Sequence, residues 1–132
     1  MPRAKFESLP KRADFLRAAA RGLKVARPGV VVQIHATSPE AAVRMGLTAS
    51  RKIGDAVRRN RARRRLREAF RLELADRAGA GSPLRGADIV LIARKDSGTV
   101  DFAELRATLK TIFNATLVPR TLGSDVVADG SA

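Results

Sequence analysis

The 132-residue chain contains no cysteine, tryptophan or tyrosine, and only one histidine. The absence of cysteine excludes disulfides, thiolate metal ligands and thiol catalysis, and is typical of proteins in a reducing cytoplasm. No apolar run approaches the roughly 18 residues that a membrane-spanning helix needs. The basic N-terminus is not followed by the uninterrupted apolar core of a secretory signal. We therefore expect a soluble cytoplasmic protein with no membrane partner.

Residues that commonly carry out enzymatic chemistry are also scarce. The single histidine, His35, lies in a strand pattern without an obvious acid or nucleophile partner, so we interpret it as a structural or surface residue. The sequence has no paired carboxylates and no zinc-ligand spacing, and the glycines of residues 79–86 lack the lysine and hydroxyl residue of a P-loop. We therefore predict no catalytic residue and no metal ligand in this chain.

Positive charge is what the sequence has in excess. Twenty-six Lys and Arg residues against thirteen Asp and Glu residues give a formal net charge of +13. A chain with this charge is expected to bind a polyanion, of which nucleic acid is the first candidate and an anionic membrane surface the second. Hydrophobic residues make up 45% of the chain, which is enough for one folded domain with a modest core.

Hydrophobic patterning predicts a single domain over residues 11–117, between a flexible arm at residues 1–10 and a disordered tail at 118–132. Apolar or alternating runs predict three strands, at residues 30–36, 43–50 and 88–94. In the second strand Val43, Met45, Leu47 and Ala49 alternate with the polar-side residues Arg44, Gly46, Thr48 and Ser50. Combined with helices, these strands predict a small α+β fold in which helices cover a short sheet.

Three helices are expected, at residues 11–21, 56–77 and 102–117. Gly22 follows the first helix at a position that usually needs a positive φ. Asp55 is a suitable N-cap for the second helix, because its carboxylate can accept hydrogen bonds from the first backbone N–H groups. Asp101 is expected to cap the third helix in the same way. The third helix carries an apolar stripe that can pack on the sheet.

The second predicted helix contains residues 58–67, RRNRARRRLR, in which seven of ten positions are arginine. At about 100° per residue, a narrow apolar stripe passes through Ala62, Leu66 and Phe70. The opposite face carries a polar row, which is Arg59, Asn60, Arg63, Arg64, Arg67 and Arg71. Forked guanidinium donors match phosphate oxygens, so this row predicts an RNA-binding surface. A solvated basic face and a membrane surface are alternatives, although the stripe lacks the large apolar face of interfacial helices.

The stretch at residues 46–71, GLTASRKIGDAVRRNRARRRLREAFR, resembles the signature of the bacterial ribonuclease P protein subunit. The similarity rests on Ser-Arg-Lys-Ile-Gly at the end of a strand, on Arg-Asn-Arg at residues 59–61 with basic residues after it, and on Ala-Phe at residues 69–70. ADIVLIARKD at residues 87–96, followed by DFAELRATL, is similar to the family's later strand and helix. The resemblance covers roughly residues 9–117, with order and spacing preserved.

This resemblance implies a four-stranded sheet in an α/β sandwich, in the order helix, three strands, helix, strand, helix, with a left-handed βαβ crossover. It also implies a function. The family's protein joins a large catalytic RNA, and the complex removes the 5′ leader of precursor tRNA, with Mg²⁺ held mainly by the RNA subunit and substrate. The protein would be the non-catalytic component of this ribonucleoprotein endonuclease. A structural RNA-binding protein of ribosomal type is the alternative.

Two RNA-binding surfaces are implied. The first would face the catalytic RNA, and its residues are Arg51, Lys52, Arg58, Arg59, Asn60, Arg61, Arg63, Arg64 and Arg67. The second is a cleft between the first helix and the sheet, where Phe15 matches an aromatic residue that can stack on the leader. A purely structural role for Phe15 is the alternative. The alternation of the second strand adds Arg44, Thr48 and Ser50 to the cleft.

The chain departs from the family pattern at three positions or segments. The family often has a second aromatic residue one turn after the first, where this chain has Ala19. The first long strand, VVVQIHA at residues 30–36, has no aromatic residue. Ala62 stands where the family usually has a larger aliphatic residue. We therefore expect weaker stacking on the leader and a larger share of binding from charge.

Overall fold

The computed structural model describes residues 6–117, which form helices on both faces of a five-stranded sheet. The elements are β1 (Glu7–Ser8), α1 (Arg12–Arg21), β2 (Leu23–Arg27), β3 (Val30–Ala36), β4 (Arg44–Thr48), α2 (Ala56–Gly79), β5 (Ala87–Ala93) and α3 (Phe102–Leu117). Short 3-10 turns precede α2 and α3, at Arg51–Ile53 and Lys95–Gly98. Within residues 6–117, no helix combines the length and the apolar character that a membrane crossing requires.

The strands lie in the order β1–β4–β5–β3–β2. β4 and β5 are parallel and are joined through α2, whereas β3 runs antiparallel to both β5 and β2. The predicted α+β fold class is confirmed. The prediction of four strands falls one short, because the two-residue β1 also pairs in parallel with β4.

The N-terminal residues that were expected to form a flexible arm are packed from residue 6 onward. Leu9 is buried, and its backbone N–H donates a hydrogen bond to β4 at 3.1 Å. The ring of Phe6 lies edge-on against Phe70, with centroids 5.1 Å apart. A two-residue strand is too short to show a periodic pattern, so it could not be predicted from hydrophobic spacing. The rest of the predicted arm and the predicted tail, residues 1–5 and 118–132, lie outside the described residues.

The main core lies between the sheet and the helices α2 and α3. The predicted stripe of α2 is confirmed, because Ala62, Leu66 and Phe70 have no exposed surface. The rings of Phe70 and Phe113 meet edge to face at 5.9 Å. Burial of a large apolar side chain contributes about 1.5–3 kcal/mol, so this core fixes the rotation of α2 about its axis. The arginines of the opposite face are consequently turned to the outside.

α1 packs on the other face of the sheet through a smaller apolar cluster. Leu9, Ala18 and Val90 are its buried members, and Phe15 is partly buried against them. A Cβ added at Gly46 would lie 2.4 Å from the Phe15 ring, so the glycine makes room for this contact. The predicted alternation of β4 is therefore confirmed, since its polar side faces α1 and its apolar side joins the main core.

Gly22 does not have the positive φ that its position after α1 suggested. Its φ is −83°, a value that any residue can adopt. A glycine is needed there for another reason: a Cβ would lie 2.4 Å from the carbonyl oxygen of Ala18 and 2.7 Å from that of Ile34. The missing side chain lets the end of α1 approach β3 closely before the chain enters β2.

Candidate nucleic-acid interface

The start of α2 is fixed by the residue that the sequence predicted. Asp55 Oδ1 accepts a hydrogen bond from the backbone N–H of Arg58 at 3.0 Å. Ser50 Oγ accepts from the backbone N–H of Lys52 at 3.3 Å and so caps the preceding 3-10 turn. Ser50 is exposed and lies beyond the end of β4, so its oxygen supports this turn. These local bonds gather the exposed cations Arg51, Lys52 and Arg58 at one end of the molecule.

Three arginines of α2 extend from the protein without a partner. Arg58, Arg64 and Arg67 are exposed, and their side chains form no hydrogen bond or ion pair with any residue between 6 and 117. Their guanidinium groups therefore keep all their donors for a ligand. Hydrogen bonds between guanidinium and phosphate groups are charge-assisted and frequently bidentate, so these three side chains suit an RNA backbone.

Arg59 and Arg61 are held in place by backbone carbonyl groups. Arg59 Nη1 donates to the carbonyl oxygen of Gly54 at 2.9 Å. Arg61 Nε donates to the carbonyl oxygen of Gly98 at 2.9 Å. Because a carbonyl group is uncharged, both arginines keep their positive charge and their remaining N–H donors. These two contacts orient the side chains in advance, which lowers the entropy lost when a phosphate binds.

Arg65 has a structural position instead. Its Nη2 donates to the carbonyl oxygen of Val100, and its guanidinium carbon lies 5.8 Å from the centre of the Phe102 ring. The side chain is half-buried between α2 and the start of α3. Arg65 is not a member of the predicted polar row, and its side of the helix joins α2 to α3.

The predicted polar row ends at Arg67. Arg71 forms two hydrogen bonds with the carboxylate of Glu68, at 3.1 and 2.6 Å, and these bonds hold the pKa of Glu68 below its usual range. The positive charge of Arg71 is therefore neutralised by Glu68, although the sequence predicted Arg71 as a member of the polar row. Nearer the start of the helix, Asn60 Oδ1 accepts from Arg63 Nη1 at 3.3 Å. This contact between two predicted RNA-binding residues leaves the charge of Arg63 intact.

In the predicted leader cleft, Arg44 is already bound by two carboxylates. Its Nε and Nη2 donate to Asp88 at 2.8 and 2.7 Å, and Nη2 also lies 3.3 Å from Oδ1 of Asp14 on α1. Burial alone would raise the pKa of Asp14, but the guanidinium groups of Arg17 and Arg44 outweigh it and lower that pKa. Asp88 is only 2% exposed, so this group of ions lies between α1 and the sheet. The predicted cleft cation is thus used to attach α1.

The remaining cleft residues lie on the same face of the sheet. Phe15 is half-buried, with its ring against Gly46, so it contributes to the small core and remains partly accessible. Thr48 is half-buried two residues further along β4 and pairs in register with Ile92. The first long strand adds no aromatic residue to this face, since residues 30–36 contain none.

Two features of this region were missed by the sequence reasoning. The carboxylates Asp14 and Asp88 carried no motif, and their contact with Arg44 depends on sheet pairing. Lys95, in the 3-10 turn after β5, lines a cavity together with the predicted residues Lys52 and Arg61. The only available signal for Lys95 was its position in the family-like stretch ARKD, just after a strand end.

Between residues 6 and 117, no group of three or more His, Asp or Glu side chains is arranged to hold a metal ion. His35 lies opposite Asp88 in the sheet, and its Nδ1 is buried without a hydrogen-bond partner in the part of the chain that the structure describes. The Asp88 carboxylate is occupied by Arg44.

Comparisons with known proteins place the chain in a family. The family model for ribonuclease P matches residues 3–116. The ribonuclease P protein component of Gluconacetobacter diazotrophicus is 44% identical over 106 residues, covering 77% of this chain and 87% of the relative. That of Bacillus velezensis is 33% identical over 108 residues, covering 82% and 87%. Among solved structures, the RNase P protein of Staphylococcus aureus has a TM-score of 0.65 at 25% identity, covering 87% of this chain and all of that chain. The protein from Thermotoga maritima has a TM-score of 0.62 at 33% identity, covering 80% and 94%.

Proposed function

Because the chain belongs to the ribonuclease P protein family, we propose that it is the protein component of a ribonucleoprotein endonuclease that removes the 5′ leader from precursor tRNA. Its partners are the catalytic RNA of that enzyme and the precursor tRNA. The observation that carries this proposal beyond family membership is the set of unpartnered arginines on α2, Arg58, Arg64 and Arg67. Arginines with unused donors on a rigid helix are what a phosphate backbone requires.

The arginine face of α2 binds the catalytic RNA. Arg58, Arg64 and Arg67 contribute free guanidinium groups, while Arg59 and Arg61 contribute groups that are already oriented by backbone carbonyls. The other members of this surface are Arg51, Lys52, Asn60 and Arg63. Each phosphate that such a residue neutralises releases condensed counterions, so binding weakens as salt concentration rises. The burial of the opposite side of α2 holds these groups in one orientation, and contacts to phosphates would position the protein on the RNA.

The cleft beside α1 binds the single-stranded leader of the precursor. Phe15 presents a ring edge at this surface, and Thr48 and Ser50 offer hydroxyl groups along and beyond β4. Stacking of a base on an aromatic side chain contributes about 1–3 kcal/mol. Arg44 acts indirectly, because its contacts with Asp14 and Asp88 set the position of α1 and hence of Phe15.

The protein leaves the chemical step to the RNA. Mg²⁺ bound by phosphates can activate water for hydrolysis of a phosphodiester, and its ligands would come mainly from the catalytic RNA and the substrate. The described residues instead bind, orient and neutralise RNA. We place this activity in the cytoplasm, where precursor tRNA is processed.

Reconstitution tests the proposed function. The protein is mixed with a bacterial ribonuclease P RNA and a precursor tRNA at low Mg²⁺ concentration, and cleavage is compared with that by the RNA alone. We expect faster cleavage with the protein and loss of most of this gain with the variant R58A/R64A/R67A. Cleavage no faster than with RNA alone, together with tight binding of ribosomal RNA, would support a structural ribosomal-type protein instead.

A further inference from the structure

A basic cavity of about 610 Å³ lies between the start of α2 and the two 3-10 turns. Its cationic lining consists of Lys52 from the first turn, Arg58 and Arg61 from α2, and Lys95 from the second turn. Ligand-binding clefts commonly have volumes of roughly 300–1,000 Å³, so the cavity is large enough for a nucleotide unit. The fold thus brings four cations from three separate segments to one concave surface. Because the segments are far apart in the chain, no continuous sequence motif predicts this surface.

The four cations have no acidic partner among residues 6–117. The nearby carboxylates are used elsewhere: Asp55 accepts from the backbone N–H of Arg58, and Asp96 accepts from that of Gly29 at 3.1 Å. The positive charges therefore repel one another across the cavity. A bound anion would remove this repulsion, whereas a neutral or cationic ligand would not.

The remaining lining indicates which anion fits. No aromatic residue lines the cavity, so it offers no surface on which a base could stack. Gly54 and Gly98 expose backbone at its wall and leave room for close approach. Charge without stacking is the chemistry of backbone contacts rather than base recognition. We propose that this cavity binds a phosphodiester group of an RNA backbone and that Lys95 is one of its ligands.

Arg61 connects this site to the arginine face. Its Nε is committed to the carbonyl oxygen of Gly98, three residues after Lys95, so the second 3-10 turn is held against α2. The terminal nitrogens of Arg61 remain available to the cavity. The site rests on the proposed function, since it adds a residue outside the Arg-Asn-Arg segment to the same RNA-binding surface. The phosphate can belong to the catalytic RNA or to the precursor leader.

The test compares K95A with K110A, because both remove one exposed lysine charge and Lys110 lies on α3, outside the cavity. One arm measures binding of the catalytic RNA over a range of salt concentrations. The other measures binding of precursor tRNA and mature tRNA by the holoenzyme. We expect K95A to weaken binding roughly three- to tenfold and to lower the salt slope by about 0.7–0.9, with K110A close to wild type.

The two arms separate the sources of the phosphate. A change in the first arm assigns it to the catalytic RNA, and a change confined to precursor tRNA assigns it to the leader. The proposal is overturned if K95A binds RNA and tRNA as K110A does in both arms. K95Q removes the same charge with a smaller change in side-chain size, and unchanged thermal unfolding of K95Q excludes a folding defect as the cause of weaker binding. Failure of the proposed function looks different: the wild-type protein would not accelerate cleavage, while the RNA-binding slopes would still separate K95A from K110A.

Discussion

The arginine face of α2 and the cleft beside α1 use the same residue type in opposite ways. On α2, Arg58, Arg64 and Arg67 have no partner within the described residues and keep their charge for a ligand. In the cleft, Arg44 is bound by Asp88 and Asp14 before any RNA arrives. The comparison shows that an arginine in a predicted RNA-binding region can either keep its donors for a ligand or hold the surrounding elements together. Only its partners distinguish the two roles.

The two surfaces should consequently respond to different perturbations. Binding at the α2 face depends on unneutralised charge, so it should follow salt concentration and the number of arginines. The cleft depends on the position of α1, so it should follow the integrity of the ion group and of the small apolar cluster. Variants that affect one property without the other can therefore test the comparison.

Removal of the Asp88 carboxylate should have the largest effect. In D88A, Arg44 would lose its two shortest hydrogen bonds while remaining largely covered by α1. Leaving one member of a buried ion pair alone costs about 3–5 kcal/mol, and the lower end applies because Arg44 is 27% exposed. Urea unfolding should show this loss. The control is D76A, which removes an exposed carboxylate paired with Arg106 and should cost about 0–1 kcal/mol. Equal losses in the two variants would contradict a special role for the buried ions.

Loss of the unpartnered arginines should reduce RNA binding without unfolding the protein. In R58A/R64A/R67A the affinity for the catalytic RNA should fall on the order of 100-fold at about 150 mM salt, and the salt slope should fall by about two to three. The matched variant R58K/R64K/R67K keeps the charges, so it should retain the slope. A slope that does not change in the alanine variant would show that this face does not meet phosphate groups.

Two adjacent arginines should separate stability from binding. R65A removes the hydrogen bond to Val100 and the contact with Phe102, and should lower the free energy of unfolding by about 1–3 kcal/mol. R64A, one residue earlier, removes a solvated side chain and should change unfolding by less than about 0.5 kcal/mol while it weakens RNA binding. Both variants are measured by thermal unfolding and by RNA titration. The comparison would be overturned if R64A lowered stability and R65A weakened only RNA binding.

Phe15 should matter mainly for substrates that carry a leader. F15A should weaken binding of precursor tRNA by the holoenzyme by about 1 kcal/mol, the lower end for base stacking, because the ring is already partly packed. Mature tRNA should be bound almost as before. L16A is the control on the same helix, since Leu16 is 54% exposed. Equal losses of precursor and mature tRNA binding would leave Phe15 with a structural role alone.

The smallest effect should appear in acid. The pKa of Asp14 is lowered from its ordinary value of 3.8, so the folded state holds this carboxylate ionised at lower pH than the unfolded chain does. The stability that it contributes is therefore complete above about pH 4 and is lost as pH falls through the lowered pKa. Urea unfolding between about pH 5 and pH 2 should be less pH-dependent in D14N. A D14N curve parallel to that of the wild type would exclude this contribution.

Helix faces and strand alternation could be predicted because they are local properties. Ala62 and Leu66 define the buried side of α2 by their spacing alone, and the structure confirms it. The partners of individual side chains could not be predicted in this way. Arg61 and Arg65 reach residues 37 and 35 positions away, and Arg44 reaches a residue 44 positions away. Such contacts depend on how the sheet and helices come together, which no local pattern reveals.

Gly22 shows a related difference between sequence and structure. A glycine after a helix predicts a positive φ on local grounds, but here φ is −83°, and the missing Cβ avoids two carbonyl oxygens, that of Ala18 in α1 and that of Ile34 in β3, twelve residues further along the chain. The identity of the residue was informative, and part of the reason for it lay in tertiary packing. Lys95 is comparable, because its place beside Lys52 and Arg61 depends on the position of β5 relative to α2.

The acceptors that hold Arg61 and Arg65 are carbonyl groups of the main chain. Every amino acid carries such a group, so a substitution at residue 98 or 100 that preserves the backbone path also preserves the acceptor. Each hydrogen bond therefore depends on the identity of only one of its two residues, the arginine. The contact of α2 with residues 98–100 should therefore tolerate substitutions in that segment. It should be sensitive to substitution of Arg61 or Arg65 in the helix.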